Sequence, residues 1–338
     1  MDKPFYADGL GFFGFSSDPL VVPDGLKLDL VHMTAAPPWL KTMKETIAAH
    51  RAFRAQLEAH PQLQVVTTKD ELESAIADEK TAVILGLQNL PDDTTKEDIH
   101  GLKKDGVSIV ALAYQDENEF GSGWMNAGID LKSEGLKILK ACTEANMVVD
   151  LSHAGHHTAR GILATLDILA ASGKYEHNPA FHVLASHGGC YSVYPHMRNL
   201  PDDVLKGVAQ MSGVVGIYTL TFGLDALDNS LEPFVRHLRR AIEICGENAI
   251  VLGTDGIYVE LESQKEVVEN FKELMARLGP SNIYNARCPD QPWYLYTPVR
   301  MELLESYLTF TNRTIPAHLV KKVMGDNLLA FFRRALPD

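Results

Sequence analysis

Three apolar runs in this 338-residue chain end in residues that ligate metals or move protons. Met147-Val-Val-Asp-Leu151 leads into Ser152-His153, Val183-Leu-Ala185 into Ser186-His187, and Ile250-Val-Leu-Gly253 into Thr254-Asp255. Neutral imidazole nitrogens and a carboxylate oxygen are the donors a Zn²⁺-type ion prefers. Asp255 could equally shuttle the proton of an activated water. A lone histidine among the 13 of this chain is more often a core or rim residue than a ligand. Two at equivalent strand ends, joined by an aspartate, point instead to one shared site.

Other polar residues close comparable runs. Ala82–Leu87 is followed by Gln88-Asn89, and Val107–Leu112 by a stretch containing Tyr114, Asp116, Glu117 and Glu119. The acidic residues of that stretch read first as a solvated loop face, and only second as replacement ligands. Arg198-Asn199 follows the His187 segment. A guanidinium there suits two-pronged capture of a carboxylate, and the alternative is a surface ion pair with Asp202 or Asp203. His156 and His157 read as helix-start residues on the rim. His32, near the end of an earlier strand, reads as a core or rim histidine with a lesser claim as a ligand.

The elements that must carry these residues repeat as an apolar β-branched run followed by an amphipathic stretch. Six runs are clear: Ala82–Leu87, Val107–Leu112, Met147–Leu151, Val183–Ser186, Gly213–Tyr218 and Ile250–Thr254. Phe5–Ala7 and Leu28–Met33 are weaker and bring the count to eight. Nearly continuous apolar strands are buried on both faces, as in parallel sheets. Eight strand-helix repeats predict an α/β fold of one domain over residues 1–338, a (β/α)₈ TIM barrel. No GxGxxG or Walker-type loop follows the first strand, which disfavours nucleotide binding. Helices are predicted at Gly135–Glu144, with Leu136, Ile138 and Leu139 to one side, at Leu231–Ile244, with Phe234, Leu238, Ala241 and Ile242 inward, and at Ala317–Arg334. Pro233 suits a first helical turn, and Pro280–Pro298 reads as an irregular excursion.

A net charge of −13 disfavours nucleic acid and anionic membrane surfaces as partners. Four scattered cysteines, Cys142, Cys190, Cys245 and Cys288, suggest neither a disulfide framework nor a thiolate zinc site. The N-terminus lacks a secretory pattern and no apolar run approaches the ~20 residues of a membrane span, so a cytoplasmic location is expected.

Asp150-Leu-Ser-His153, Ala185-Ser-His187, Met197-Arg-Asn199-Leu-Pro-Asp-Asp-Val-Leu205, Gly253-Thr-Asp255 and Met324-Gly-Asp-Asn-Leu328 resemble, in order and spacing, the membrane (renal) dipeptidase family of amidohydrolase-type zinc enzymes. The resemblance implies a metal-dependent barrel in which His153 and His187 bind the second of two metals. Arg198, with Asn199 beside it, would hold the substrate carboxylate, and Asp255 would move a proton between the attacking water and the leaving amine. Partners implied are a dipeptide-like or other small substrate and a second copy in a homodimer.

The departures form a pattern of their own. The family opens Asp-Gly-His-x-Asp, where this chain has Asp8-Gly9-Leu10-Gly11-Phe12, so both ligands of the first metal are replaced. The bridging glutamate becomes Gln88, an amide that ligates weakly, and the group that polarises the substrate becomes Tyr114. The chain therefore resembles a divergent subgroup expected to hold one zinc ion or none. Three functions follow. The first is a hydrolase of small peptides or amides bearing a terminal carboxylate, with at most one metal. The second is another small-molecule enzyme, with Tyr114 as acid and Asp255 as base. The third is a non-catalytic paralogue that binds an anion through Arg198.

Overall fold

The computed structural model describes residues 3–13, 20–172, 182–225, 228, 230–258 and 299–338. Eight strands succeed one another around a single sheet: β1 (Ala7–Asp8), β2 (Leu30–Thr34), β3 (Thr81–Leu87), β4 (Val107–Val110), β5 (Val148–Asp150), β6 (Val183–Gly188), β7 (Val214–Ile217) and β8 (Ile250–Leu252). Neighbours pair in parallel throughout, for example Leu30 with Ala82 and Leu184 with Val214. The sheet comes round to near closure where Gly9 N–H donates to Leu252 O at 2.8 Å. A two-residue ladder between Gly11–Phe12 and Gly256–Ile257 extends that seam past the strand ends. This is the (β/α)₈ barrel expected, and each predicted strand is present with its ends moved by no more than two residues.

Alternation along the strands divides the apolar residues into two cores. Ala7, Leu30, Ala82, Ile84, Ile109, Val148, Leu184, Val214 and Val251 face the barrel interior and pack on Leu328, Phe331 and Phe332 of the helix Asn327–Ala335, which plugs the amino-terminal end. Val31, Met33, Val83, Leu85 and Leu87 point outward beneath the surrounding helices. By the same alternation, the carboxyl-terminal ends of β2 and β3 direct His32, Thr34, Gly86 and Gln88 inward. Asn327 pins the plug, donating to the carbonyls of Glu247 and Ile250 at 2.8 Å each.

Helices at Ser133–Glu144 and Glu232–Cys245 match expectation, the second with Pro233 in its first turn. Leu136 departs from its predicted face, being 39% exposed. The buried stripe runs through Gly135, Ile138, Leu139 and Cys142, and Leu136 falls beyond its edge. Ile242 is likewise only half-buried. The predicted C-terminal helix is present with π-helical geometry at Lys322–Asp326. Three further helices start from reciprocal capping boxes, Thr42 with Glu45, Thr68 with Glu71 and Thr95 with Asp98. Besides the seam ladder, the strand Leu63–Val65 was unforeseen among the described residues; it pairs with Thr81–Val83 along the part of the β3 edge that β4 leaves uncovered. The Pro280–Pro298 segment lies outside the described residues. Among the described residues, no helix is long and apolar enough to cross a membrane.

Candidate active site at the carboxyl ends of the strands

The ends of β5 and β6 bring two imidazoles together. His153 Nε2 and His187 Nε2 are 2.9 Å apart, with ring centroids at 4.9 Å. Both rings are buried, and burial together with the Arg198 charge pushes both well below the usual histidine range. They are therefore neutral near pH 7, the state in which imidazole ligates metals or accepts protons. Tyr114 lies over His153 with ring centroids at 4.1 Å. Burial and the charge of Asp255 push its phenol up, so it stays a protonated donor.

Asp255 reaches toward the pair from β8, its Oδ2 3.8 Å from His187 Nε2. Its backbone is left-handed, with φ of 52°, held by its N–H to Leu10 O at 2.9 Å. Such a conformation costs a non-glycine residue about 1–3 kcal/mol and clusters at working sites. Burial, reinforced by Asp8 and Asp150 and opposed by Arg198, raises the Asp255 carboxyl to about 7. Asp8 is fully buried behind it and accepts from Thr254 N at 2.7 Å, Thr254 Oγ1 at 2.6 Å and Tyr258 Oη at 2.6 Å. Burial lifts Asp8 to about 6 even so. Gly216 and Gly253 let β7 and β8 pass Ser186 O, where a Cβ on either would collide with that carbonyl.

Arg198 is 3% exposed, not a surface residue. Asp202 and Asp203, its predicted alternative partners, bind Arg240 and Arg160. Its Nη1 donates to Ser152 O and its Nη2 to His187 O at 3.2 Å, with His153 Nε2 also 3.2 Å from Nη2. The guanidinium thus bridges the two histidine segments, 5.6 Å above the Tyr218 ring. Asn199, expected to touch substrate, is occupied within the protein. Both amide hydrogens go to the carbonyls of Tyr194 (3.0 Å) and Gly223 (2.7 Å), and its oxygen accepts from Tyr218 Oη (2.7 Å). It braces the loop that delivers Arg198.

Opposite His153 and His187 at the mouth lie Leu10, Phe12, Gln88 and His32. Leu10 is fully buried, Phe12 pairs with Ile257 in the seam ladder, and Gln88 is 3% exposed with its Nε2 unpartnered. His32 is buried, Nδ1 on Gly9 O at 2.8 Å and Nε2 unpartnered. Among the described residues, no three His, Cys, Asp or Glu side chains converge as a metal site would. Among the described residues, Leu10, Phe12 and Gln88 bring no charged donor to this half of the mouth. His153 and His187 are the imidazoles here that could hold an ion, and the Arg198 guanidinium lies beside them. Asp116, Glu117 and Glu119 are exposed loop residues, and Glu117 pairs with Lys132 at 2.8 Å. His156 begins the helix His156–Ala171 and touches Asn199 O at 2.9 Å, while His157 faces Asp130 at 3.1 Å.

Sequence reasoning gave no role to the polar layer under the site. Asp150, Ser152, Ser186, Asp8, Tyr218 and Tyr258 are all buried and hydrogen-bonded there. The available signal was a carboxylate, Asp150, ending an otherwise apolar strand.

The model of the family described as membrane dipeptidase, peptidase family M19, matches residues 24–286. A dipeptidase, verJ, from Clonostachys rogersoniana is 27% identical over 64% of this chain and 54% of its own length, so the match spans about half of that relative. An uncharacterised protein from the pqqA 5′ region of Klebsiella pneumoniae is 24% identical over 68% of the chain and 86% of its own length. The fold matches an amidohydrolase from Pseudomonas aeruginosa with a TM-score of 0.75 at 21% identity, covering 98% and 97% of the two chains. It also matches a metallo peptidase from Rhodobacter sphaeroides, solved with a phosphinate mimic of L-Ala-D-Ala, at a TM-score of 0.68 and 16% identity over 99% and 100%.

Proposed function

Because the chain belongs to the membrane dipeptidase family, we propose that it hydrolyses a small peptide or amide carrying a terminal carboxylate, with at most one zinc ion. The observation that carries this reading is the arrangement of Asp255, with its carboxyl near 7, 3.8 Å from His187 and in the field of Arg198. A carboxyl poised at that value accepts a proton from an attacking water and returns it to a departing amine. His153 and His187 would hold the ion, which when bound supplies a Lewis acid for the scissile carbonyl. Arg198 gives the carboxylate of the substrate its counter-charge, and Tyr114 keeps a phenolic proton to donate to developing negative charge. Asn199 contributes by holding the Arg198 loop.

One observation favours a second reading. Leu10 and Gln88 leave the first-metal half uncharged, which suits a non-peptidase reaction run by Tyr114 as acid and Asp255 as base. The two separate on substrate. Dipeptides, L-Ala-D-Ala among them, are assayed beside their C-terminally amidated forms with zinc supplied. The proposal expects hydrolysis of the free acids alone, and a KM raised by at least about tenfold in Arg198→Ala, the order of one charge-assisted hydrogen bond. Absence of hydrolysis across the panel, or indifference to the amide cap, overturns it.

A further inference from the structure

We propose that Asp150, acting through Ser186, is a positioning residue that holds His187 as the Nδ1–H tautomer and so turns the Nε2 lone pair into the site. The inference rests on reading His187 as a working group of that site. It stands on hydrogen-bond geometry in the layer beneath the two histidines.

Asp150 ends β5, is 2% exposed, and collects four donors from two strand ends. Its Oδ1 accepts from Ser152 N at 2.9 Å, Ser152 Oγ at 2.6 Å and Ser186 N at 3.0 Å. Its Oδ2 accepts from Ser186 Oγ at 2.5 Å. Ser186 Oγ is also 2.7 Å from His187 Nδ1, and Ser152 Oγ accepts from His187 N at 3.0 Å. One carboxylate therefore ties together the two segments that carry His153 and His187.

Counting hydrogens decides the tautomer. Ser186 has a single hydroxyl hydrogen, and three acceptors surround it: Asp150 Oδ2, His187 Nδ1 and Ser152 Oγ, the last at 2.8 Å. Hydrogen bonds to an ionised acceptor are shorter and about twice as strong as neutral ones. The hydroxyl therefore donates to Asp150, along the shortest contact. Ser186 Oγ is left as an acceptor, so the hydrogen on the 2.7 Å contact belongs to His187 Nδ1. A neutral imidazole carries one hydrogen, which leaves Nε2 bare. Nε2 is the atom that faces His153 Nε2 at 2.9 Å, where His153 Nε2–H is then the donor, and Asp255 Oδ2 lies 3.8 Å from it. A lone pair there can take a proton or an ion, and a hydrogen there could do neither. Carboxylates commonly orient imidazoles in this way, and here a serine hydroxyl stands between them.

The test reads the tautomer directly. Protein labelled with ¹⁵N-histidine is examined by long-range ¹H–¹⁵N correlation, and the His187 signal is assigned by its loss in His187→Gln. The wild type should show His187 neutral with the hydrogen on Nδ1. Ser186→Ala should move the ratio toward Nε2–H by roughly tenfold, about one hydrogen bond at the upper end of the ordinary range. Ser186→Thr, which keeps the hydroxyl, should restore the wild-type tautomer. Asp150→Asn should resemble Ser186→Ala, with circular dichroism confirming that each variant is folded. An Nε2–H tautomer in the wild type, or no movement in folded Ser186→Ala, overturns the inference. None of these signals requires turnover, so a failed peptidase assay leaves the tautomer result standing, and the converse holds.

Discussion

His153 Nε2 and His187 Nε2 face each other across 2.9 Å, closer than two nitrogens on one tetrahedral ion, which ~2.1 Å bonds would set roughly 3.4 Å apart. An ion entering there must spread the rings by about half an ångström, within reach of a small side-chain rotation. If Leu10, Phe12 and Gln88 stand where the first metal's ligands would be, zinc binding should saturate at one equivalent or less and disappear in His187→Ala. Metal analysis after dialysis against zinc checks this. Two bound equivalents, or one retained by His187→Ala, would contradict it.

Asp255 should impose a pH dependence on both stability and rate. Its carboxyl is raised to about 7 by burial, so between its unfolded value of roughly 4 and 7 the folded state holds a proton that the unfolded chain has released. That contribution to stability is complete below about pH 4 and is lost as pH rises through 7. Asp8, raised to about 6, acts in the same direction. Wild type should be less stable at about pH 8 than at about pH 5, by a few kcal/mol at most. Asp255→Asn should flatten that slope and remove activity. The wild-type rate should fall as pH drops through 7, where the base becomes protonated. Denaturant melts at the two pH values, with a rate profile beside them, decide the matter. An unchanged slope in Asp255→Asn would count against the assignment.

Tyr258 donates to Asp8 Oδ2 at 2.6 Å in a fully buried setting. Tyr258→Phe should destabilise by about 1–3 kcal/mol at about pH 8, where Asp8 is charged, and by less at about pH 5, where protonation lessens the need for that donor. Equal losses at both values would show that the bond does not serve the charge.

Asn199 should matter for stability before chemistry. Asn199→Ala strands the carbonyls of Tyr194 and Gly223 and the hydroxyl of Tyr218, a loss of about 2–4 kcal/mol. Asn199→Asp keeps the acceptor for Tyr218 but sets a carboxylate against two carbonyls, so it should not rescue. A loss under about 0.5 kcal/mol in Asn199→Ala, the scale of an ordinary surface change, would return Asn199 to the list of substrate contacts.

The sequence by itself determined the barrel and the residues at its mouth. Buried parallel strands read as unbroken apolar runs, so β3 to β8 stand out, and the polar residues that follow three of those runs, His153, His187 and Asp255, name the candidate site. Leu10, Phe12 and Gln88 were equally legible, because a missing charge shows in residue type alone. The tertiary structure decided what those residues touch. Whether Arg198 met Asp202 or the histidines depended on a loop packing that Asn199 and Tyr218 fix from separate segments. The clamp of Asp8 by Thr254 and Tyr258 joins residues some 250 positions apart, and only closure of the barrel brings them together. Burial is likewise a property of the assembled barrel, and burial is what raises Asp255 and keeps both imidazoles neutral.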